Sequence, residues 1–174
     1  GEDSGNALVG LTAKYKLSDQ ISLYSQLVVD EFSVGNLTNL GDWRNKFSIQ
    51  LGAKYFDAFK VKNLFLQGEF NYARPYTFAH RNPILNYGGN IFQSYDIRLG
   101  DTGNALAQGN AATIFNIDLQ GDYLINPSNN LSLFAGVSYR NFSIDAPTNG
   151  FSTNNNMWIR AGIRADLFNW YLDF

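Results

Sequence analysis

Phe115-Asn116-Ile117-Asp118-Leu119-Gln120-Gly121-Asp122-Tyr123 is the stretch that decides the fold. Its odd positions carry aromatic, aliphatic or glycine residues, and its even positions are all polar. Period-two alternation describes a β-strand with one dry and one wet face. A second stretch, Phe47 to Tyr55, repeats the pattern with Ile49, Leu51 and Ala53 on the dry side. Lys46, Ser48, Gln50 and Lys54 fall on its wet side. In both, aromatic residues eight positions apart bracket the apolar run. Eight residues at about 3.3 Å each reach about 26 Å, or about 20 Å along the membrane normal once tilted by about 40°. That matches the apolar band of an outer-membrane barrel with aromatic residues at both interfaces.

Composition agrees with strands better than helices. Tyr, Phe and Gly number ten, fourteen and sixteen, against one Met, a mixture suited to sheets and aromatic girdles. Mean hydropathy is −0.22, which hydropathy alone would assign to a soluble protein. In a barrel, lumen-facing polar residues cancel the lipid-facing ones. The chain contains no apolar run long enough for a helical span. With no Cys, disulfide frameworks and thiolate metal sites are excluded. The formal net charge of −2 gives no electrostatic basis for binding nucleic acid.

The pattern predicts seven strands, at about 7–17, 21–32, 44–56, 63–73, 112–125, 131–142 and 157–172, forming one β-barrel segment. Outward residues include Tyr15, Leu23, Leu66, Phe70, Leu133, Tyr139, Ile159 and Ile163. Short turns fall near 18–20, 57–62 and 126–130, the last reading Asn-Pro-Ser-Asn-Asn, a strong turn composition. Long connections span about 33–43, 73–111 and 141–156. Short turns on one side and long loops on the other are the outer-membrane arrangement, with the long side extracellular. The expected fold is therefore all-β, an antiparallel transmembrane outer-membrane β-barrel. Seven strands that begin and end in the same direction cannot close by themselves into the even-numbered bacterial barrel. The expectation is thus an arc of a larger barrel, closed by upstream strands of the same polypeptide or by another protein. At the carboxyl end Trp170, Leu172 and Phe174 are spaced by two, which suits a signal for the barrel-assembly machinery. The apolar phase slips between Leu167 and Phe168, where a bulge or strand end is expected.

Several stretches carry a family resemblance. Tyr24, Gln26, Asp30, Glu31 and Phe32 close the second strand, and Trp43, Asn45 and Lys46 open the third. Gln50-Leu51-Gly52-Ala53-Lys54-Tyr55, Asn63-Leu64, Leu66-Gln67, Glu69 and Asn71 follow, then Arg74-Pro75-Tyr76-Thr77-Phe78-Ala79-His80. Over about residues 20–88 this series resembles the outer-membrane gliding-motility protein RemB and its relatives, which are similar to capsule-assembly proteins of the Wzi type. Asn90-Ile91-Phe92-Gln93-Ser94-Tyr95 and the terminal strand match more loosely. The resemblance implies that the arc is the carboxy-terminal arc of the larger barrel. In the family pattern a further hairpin precedes that Asn-Ile-Phe segment, whereas here Tyr87-Gly88-Gly89-Asn90 joins directly. Residues omitted near 88–89 are the expected reason, because losing a hairpin would change the circumference of a closed barrel.

Candidate chemistry sits in two places. The inward polar set comprises Gln26, Asp30, Lys46, Gln50, Gln67, Glu69, Asn71, Arg160 and Arg164. The tight turn near 57–62, which joins the third and fourth strands, puts Gln50 near Glu69. Such a set suits a channel or a sugar-binding lumen, and equally the paired polar groups that any lumen must hold to avoid isolated charges. The long loops offer Trp43, Arg74, Tyr76, His80, Tyr87 and Tyr95 as surface-binding candidates, with aromatic rings available to stack on sugars. His80 is the single histidine, too few for a His-ligated metal site, and it has no ordered acid partner for a catalytic triad. No carboxylate pair is spaced convincingly for glycoside cleavage. No enzymatic activity and no cofactor are expected. The RemB resemblance implies a non-enzymatic barrel serving surface machinery such as gliding motility. The Wzi relationship implies instead a lectin-like protein holding capsular or surface polysaccharide. Either places the protein in the outer membrane of a Gram-negative bacterium. Its partners there would be lipid and lipopolysaccharide, the assembly machinery, and surface proteins or polysaccharide. A soluble sandwich of two sheets is the remaining alternative, and it requires neither aromatics at both strand ends nor loops asymmetric in length.

Overall fold

The computed structural model describes residues 8–31, 45–74, 112–144 and 154–165. They form seven strands: β1 (Val9–Lys16), β2 (Ile21–Glu31), β3 (Lys46–Phe56), β4 (Leu64–Ala73), β5 (Ala112–Asn126), β6 (Leu131–Ile144) and β7 (Asn154–Arg164). All lie in one antiparallel sheet in chain order. Among the described residues there is no α-helix and no second sheet packed on this one. β1 and β7 are the two edges, so the sheet is not closed. Because neighbours alternate in direction, these two edge strands run the same way.

Alternation in sequence becomes alternation in space because each pairing register preserves parity. Thr12, Gln26, Gln50, Asn71, Asn116, Arg140 and Asn156 are successive cross-strand partners, one from each strand. The neighbouring row on the opposite face is Ala13, Ser25, Leu51, Phe70, Ile117, Tyr139 and Met157. A slip of one residue at any pair would have mixed these rows. Two irregularities occur, between Val29 and Glu31 and between Leu124 and Asn126.

Burial runs opposite to that of a water-soluble sheet. Among the described residues, every buried strand residue lies on the polar face: Lys46, Ser48, Asn71, Ala73, Ala112, Ile114, Asp122, Ser132 and Ser138. The apolar face leaves Leu51, Leu119, Tyr123, Leu133, Ile159 and Ile163 exposed, Ile159 at 75%. Aromatic residues gather at its long-connection end, where Phe47 meets Tyr72 at 6.0 Å and Phe115 meets Phe70 and Tyr139 at 5.2 and 6.3 Å, while Tyr15, Tyr55 and Tyr123 stand at its short-turn end. Beyond that belt the same face turns polar at Thr113, Asn141 and Asn155, with Asn141 donating to Asn155. The apolar surface is therefore a band with an upper limit.

Strand ends depart from the alternation pattern at the long connections. β7 starts at Asn154 and β6 continues to Ile144, so paired asparagines extend the hairpin where the polar sequence suggests a loop. The segment 166–172 of the seventh expected strand, with Trp170, Leu172 and Phe174 beyond the phase slip, lies outside the described residues, as do positions 88–89.

Candidate functional site

The polar face is organised around two carboxylates, Glu69 on β4 and Asp118 on β5, which are direct cross-strand partners. Like charges in such positions repel, and each is held by its own donors from opposite sides of the sheet. Glu69 accepts a hydrogen bond from the Tyr24 hydroxyl at 2.6 Å and one from Asn71 Nδ2 at 2.9 Å, and Gln50, the cross-strand partner of Asn71, lies diagonally beside Glu69. Gln67 Nε2 donates in turn to the Tyr24 hydroxyl at 2.8 Å. Asp118 receives both guanidinium nitrogens of Arg160, at 2.7 and 3.0 Å, and the Ser138 hydroxyl. Bidentate, charge-assisted geometry of this kind is among the stronger polar contacts. Arg160 also reaches Ser138 Oγ at 2.6 Å and Gln120 Oε1 at 3.4 Å. Four residues further along the same two strands, Arg164 pairs with Asp122, which also receives Gln120 Nε2 at 2.9 Å.

Glycines make these reaches possible. Tyr24 spans from β2 to β4 because Gly52 lies between, where a Cβ would collide with the phenol ring. Arg160 crosses β6 over Gly136 in the same way, 2.9 Å from where a Cβ would stand. Phe134 covers Gly162 on β7 at 2.8 Å. In each case the long side chain and the glycine are direct cross-strand partners, so bare backbone is covered by the neighbouring strand.

The face also has an apolar end. Near the short turns Phe56 and Phe65 stack at 5.0 Å, and Arg164 lies over the Phe134 ring at 5.8 Å. Phe56, Phe65 and Arg164, with Leu124, Ser132, Asp122 and Asn63, line a cleft of about 520 Å³. At the β1 edge the face is basic: Lys54 stands over the Tyr24 ring at 5.7 Å, and Lys14 and Lys16 project from β1. Lys16 meets Asp19 in the adjoining turn at 2.7 Å.

Of the inward set expected from the sequence, Gln50, Gln67, Glu69 and Asn71 come together around Tyr24, and Arg160 and Arg164 around the β5 acids. Gln26 is exposed on the same face, and Lys46 is buried at its far end. Asp30 lies where pairing shifts between Val29 and Glu31. Arg74 follows β4, its amide donating to the Phe47 carbonyl at 3.1 Å. Trp43, Tyr76, His80, Tyr87 and Tyr95 fall outside the described residues. Tyr24, Asp118, Gln120, Asp122 and Ser138 complete the network without having been singled out from the sequence. The signal for the three β5 residues was their parity in Phe115–Tyr123. Tyr24 carried the same signal, since its parity with Ser22 and Gln26 puts it on the polar side of β2.

Among the described residues no group of His, Cys, Asp or Glu is arranged to hold a metal ion. The acids are engaged by amide, hydroxyl and guanidinium donors, which suits a fixed polar wall. Comparison with protein-family models, curated proteins and solved structures finds no match to this chain.

Proposed function

We propose that this sheet is an arc of an outer-membrane β-barrel, its apolar face against lipid and its polar face lining the lumen. The carrying observation is the inverted burial, in which every buried strand residue among those described lies on the polar face. Water would penalise a broad exposed band of Leu, Ile and aromatic residues; hydrocarbon favours it. Open edges would leave backbone groups unpaired in lipid at a cost of several kcal/mol each. Further strands must therefore cover β1 and β7. Since those two edges run in the same direction, antiparallel closure requires an odd number of added strands.

Within that barrel the protein acts without catalysis, as a fixed scaffold serving surface machinery such as gliding motility. The residues that resemble the RemB family support this reading, and the mutually satisfied network on the polar face suits a wall that does no chemistry. A second reading, a holder of surface polysaccharide, is favoured by the cleft where Phe56 and Phe65 adjoin Asp122 and Arg164. Aromatic faces beside hydrogen-bonding charges are what a sugar ring requires. Barrel-assembly factors, lipid and lipopolysaccharide are the partners that an outer-membrane location entails.

Deleting the gene and scoring both phenotypes tests the two. Loss of surface translocation with normal retained polysaccharide supports the scaffold. Loss of retained polysaccharide, reproduced by Arg164→Ala with Phe65→Ala, supports the holder. A protein recovered only in soluble fractions contradicts both.

A further inference from the structure

The β3–β4 connection contains an aromatic residue held outward against the ordinary preferences of the backbone. Asp57, Phe59, Lys60 and Asn63 all have positive φ, between 48° and 67°. Asn and Asp accept this left-handed region readily, whereas Phe and Lys do so only under constraint. The constraint is visible. A 3-10 turn at Ala58–Lys60 is closed by Lys60 N to Asp57 O and Val61 N to Ala58 O, both 3.0 Å. Asp57 Oδ1 accepts the Asn63 amide at 2.7 Å, and Asn63 and Leu124 exchange hydrogen bonds that tie the turn to β5. Ala58 is fully buried beneath it.

The result of this constraint is the position of the Phe59 ring. It packs edge-on against Tyr55 on the apolar face, at 5.5 Å and 70°, yet remains 74% exposed. Val61 is exposed beside it, as are Lys60 and Lys62, and among the described residues neither lysine meets a carboxylate. An aromatic ring continuous with a lipid-facing band, flanked by two exposed ammonium groups, fits the boundary between acyl chains and phosphates. The lysine stems can follow the apolar surface while their heads reach phosphate oxygens.

We infer that this turn is a membrane anchor, in which Phe59 inserts at the headgroup boundary on the short-turn side and Lys60 and Lys62 bind anionic phospholipid. The inference rests on the barrel reading above. It assigns this turn a fixed depth and a preference for anionic lipid, neither of which that reading requires.

The test places Trp at Phe59, and separately at Leu51, in the full chain reconstituted into vesicles whose phospholipid carries bromine at shallow or deep positions. Emission of the unsubstituted protein, from Trp43, Trp158 and Trp170, is subtracted. The anchor predicts about twofold stronger quenching of Phe59→Trp by shallow than by deep bromine, with the order reversed for Leu51→Trp. It also predicts that quenching at position 59 rises with phosphatidylglycerol content, and that Lys60→Gln with Lys62→Gln abolishes the rise. Quenching at position 51 without quenching at 59 overturns the anchor and leaves the barrel standing. Indifference to phosphatidylglycerol overturns the lysine contacts. Absence of quenching at both positions overturns the barrel reading and the anchor with it.

Discussion

Tyr24 lies flat across Gly52, its direct partner on the neighbouring strand, and its hydroxyl meets Glu69 one strand further on, at 2.6 Å. Three strands are thereby linked by one side chain, and the linkage depends on a missing Cβ. Gly52→Val should displace the phenol, break the Glu69 contact and cost roughly 1–3 kcal/mol through overpacking. Gly10→Ala, where a Cβ meets nothing within 4 Å, should be nearly neutral. Denaturant midpoints of the two variants, measured in the same detergent, check the contrast.

Asp118 and Arg160 make the most specific polar contact on the face, but both side chains are about one-third exposed, at 31% and 33%. Water and salt in a lumen screen such a pair, so its coupling should be modest. A double-mutant cycle with Asp118→Asn and Arg160→Gln should give about 1 kcal/mol, falling with added salt. A coupling unchanged in high salt would show the pair to be sealed from solvent.

Leu51 and Gln50 are adjacent in sequence and opposite in environment. Leu51→Arg should cost roughly 2–4 kcal/mol, the penalty for a cation near a bilayer midplane. Gln50→Arg, placed beside Glu69, should be tolerated. Heat-modified mobility on gels reports both, and equal tolerance would argue against the assigned faces.

Edge strands β1 and β7 should not touch. Paired cysteines at Ala13 and Ala161, introduced into a chain with none of its own, should remain reduced under mild oxidant in membranes. Ser25 and Leu51, direct partners on β2 and β3, supply the positive control. A disulfide between positions 13 and 161 would mean that the seven strands close on themselves.

Faces were legible in the sequence because period two is intrinsic to extended chain, so Phe115–Tyr123 announces its own two environments. The nearness of Gln50 to Glu69 was legible as well, since a short turn fixes the β3–β4 register and sets Gln50 opposite Asn71, two residues from Glu69. The Tyr24–Gly52–Glu69 bridge was not, because β2 and β3 are joined through a long connection and their register depends on packing over its whole length. Arg160 was readable as inward, but its partner was not. Asp118 lies two strands away, reached only across Gly136. Phe59 was hidden for another reason: nothing in its spacing signals that a turn residue has been forced to join the apolar face.

Cysteine scanning along β5 tests the central claim most directly. Single substitutions from Phe115 to Tyr123 in isolated outer membranes would be challenged with a membrane-dissolved maleimide and with a charged, water-soluble one. Positions 115, 117, 119, 121 and 123 should react with the first, and 116, 118, 120 and 122 with the second, in strict alternation. Labelling of all nine positions by the charged reagent, or recovery of the protein outside the membrane, would contradict the account.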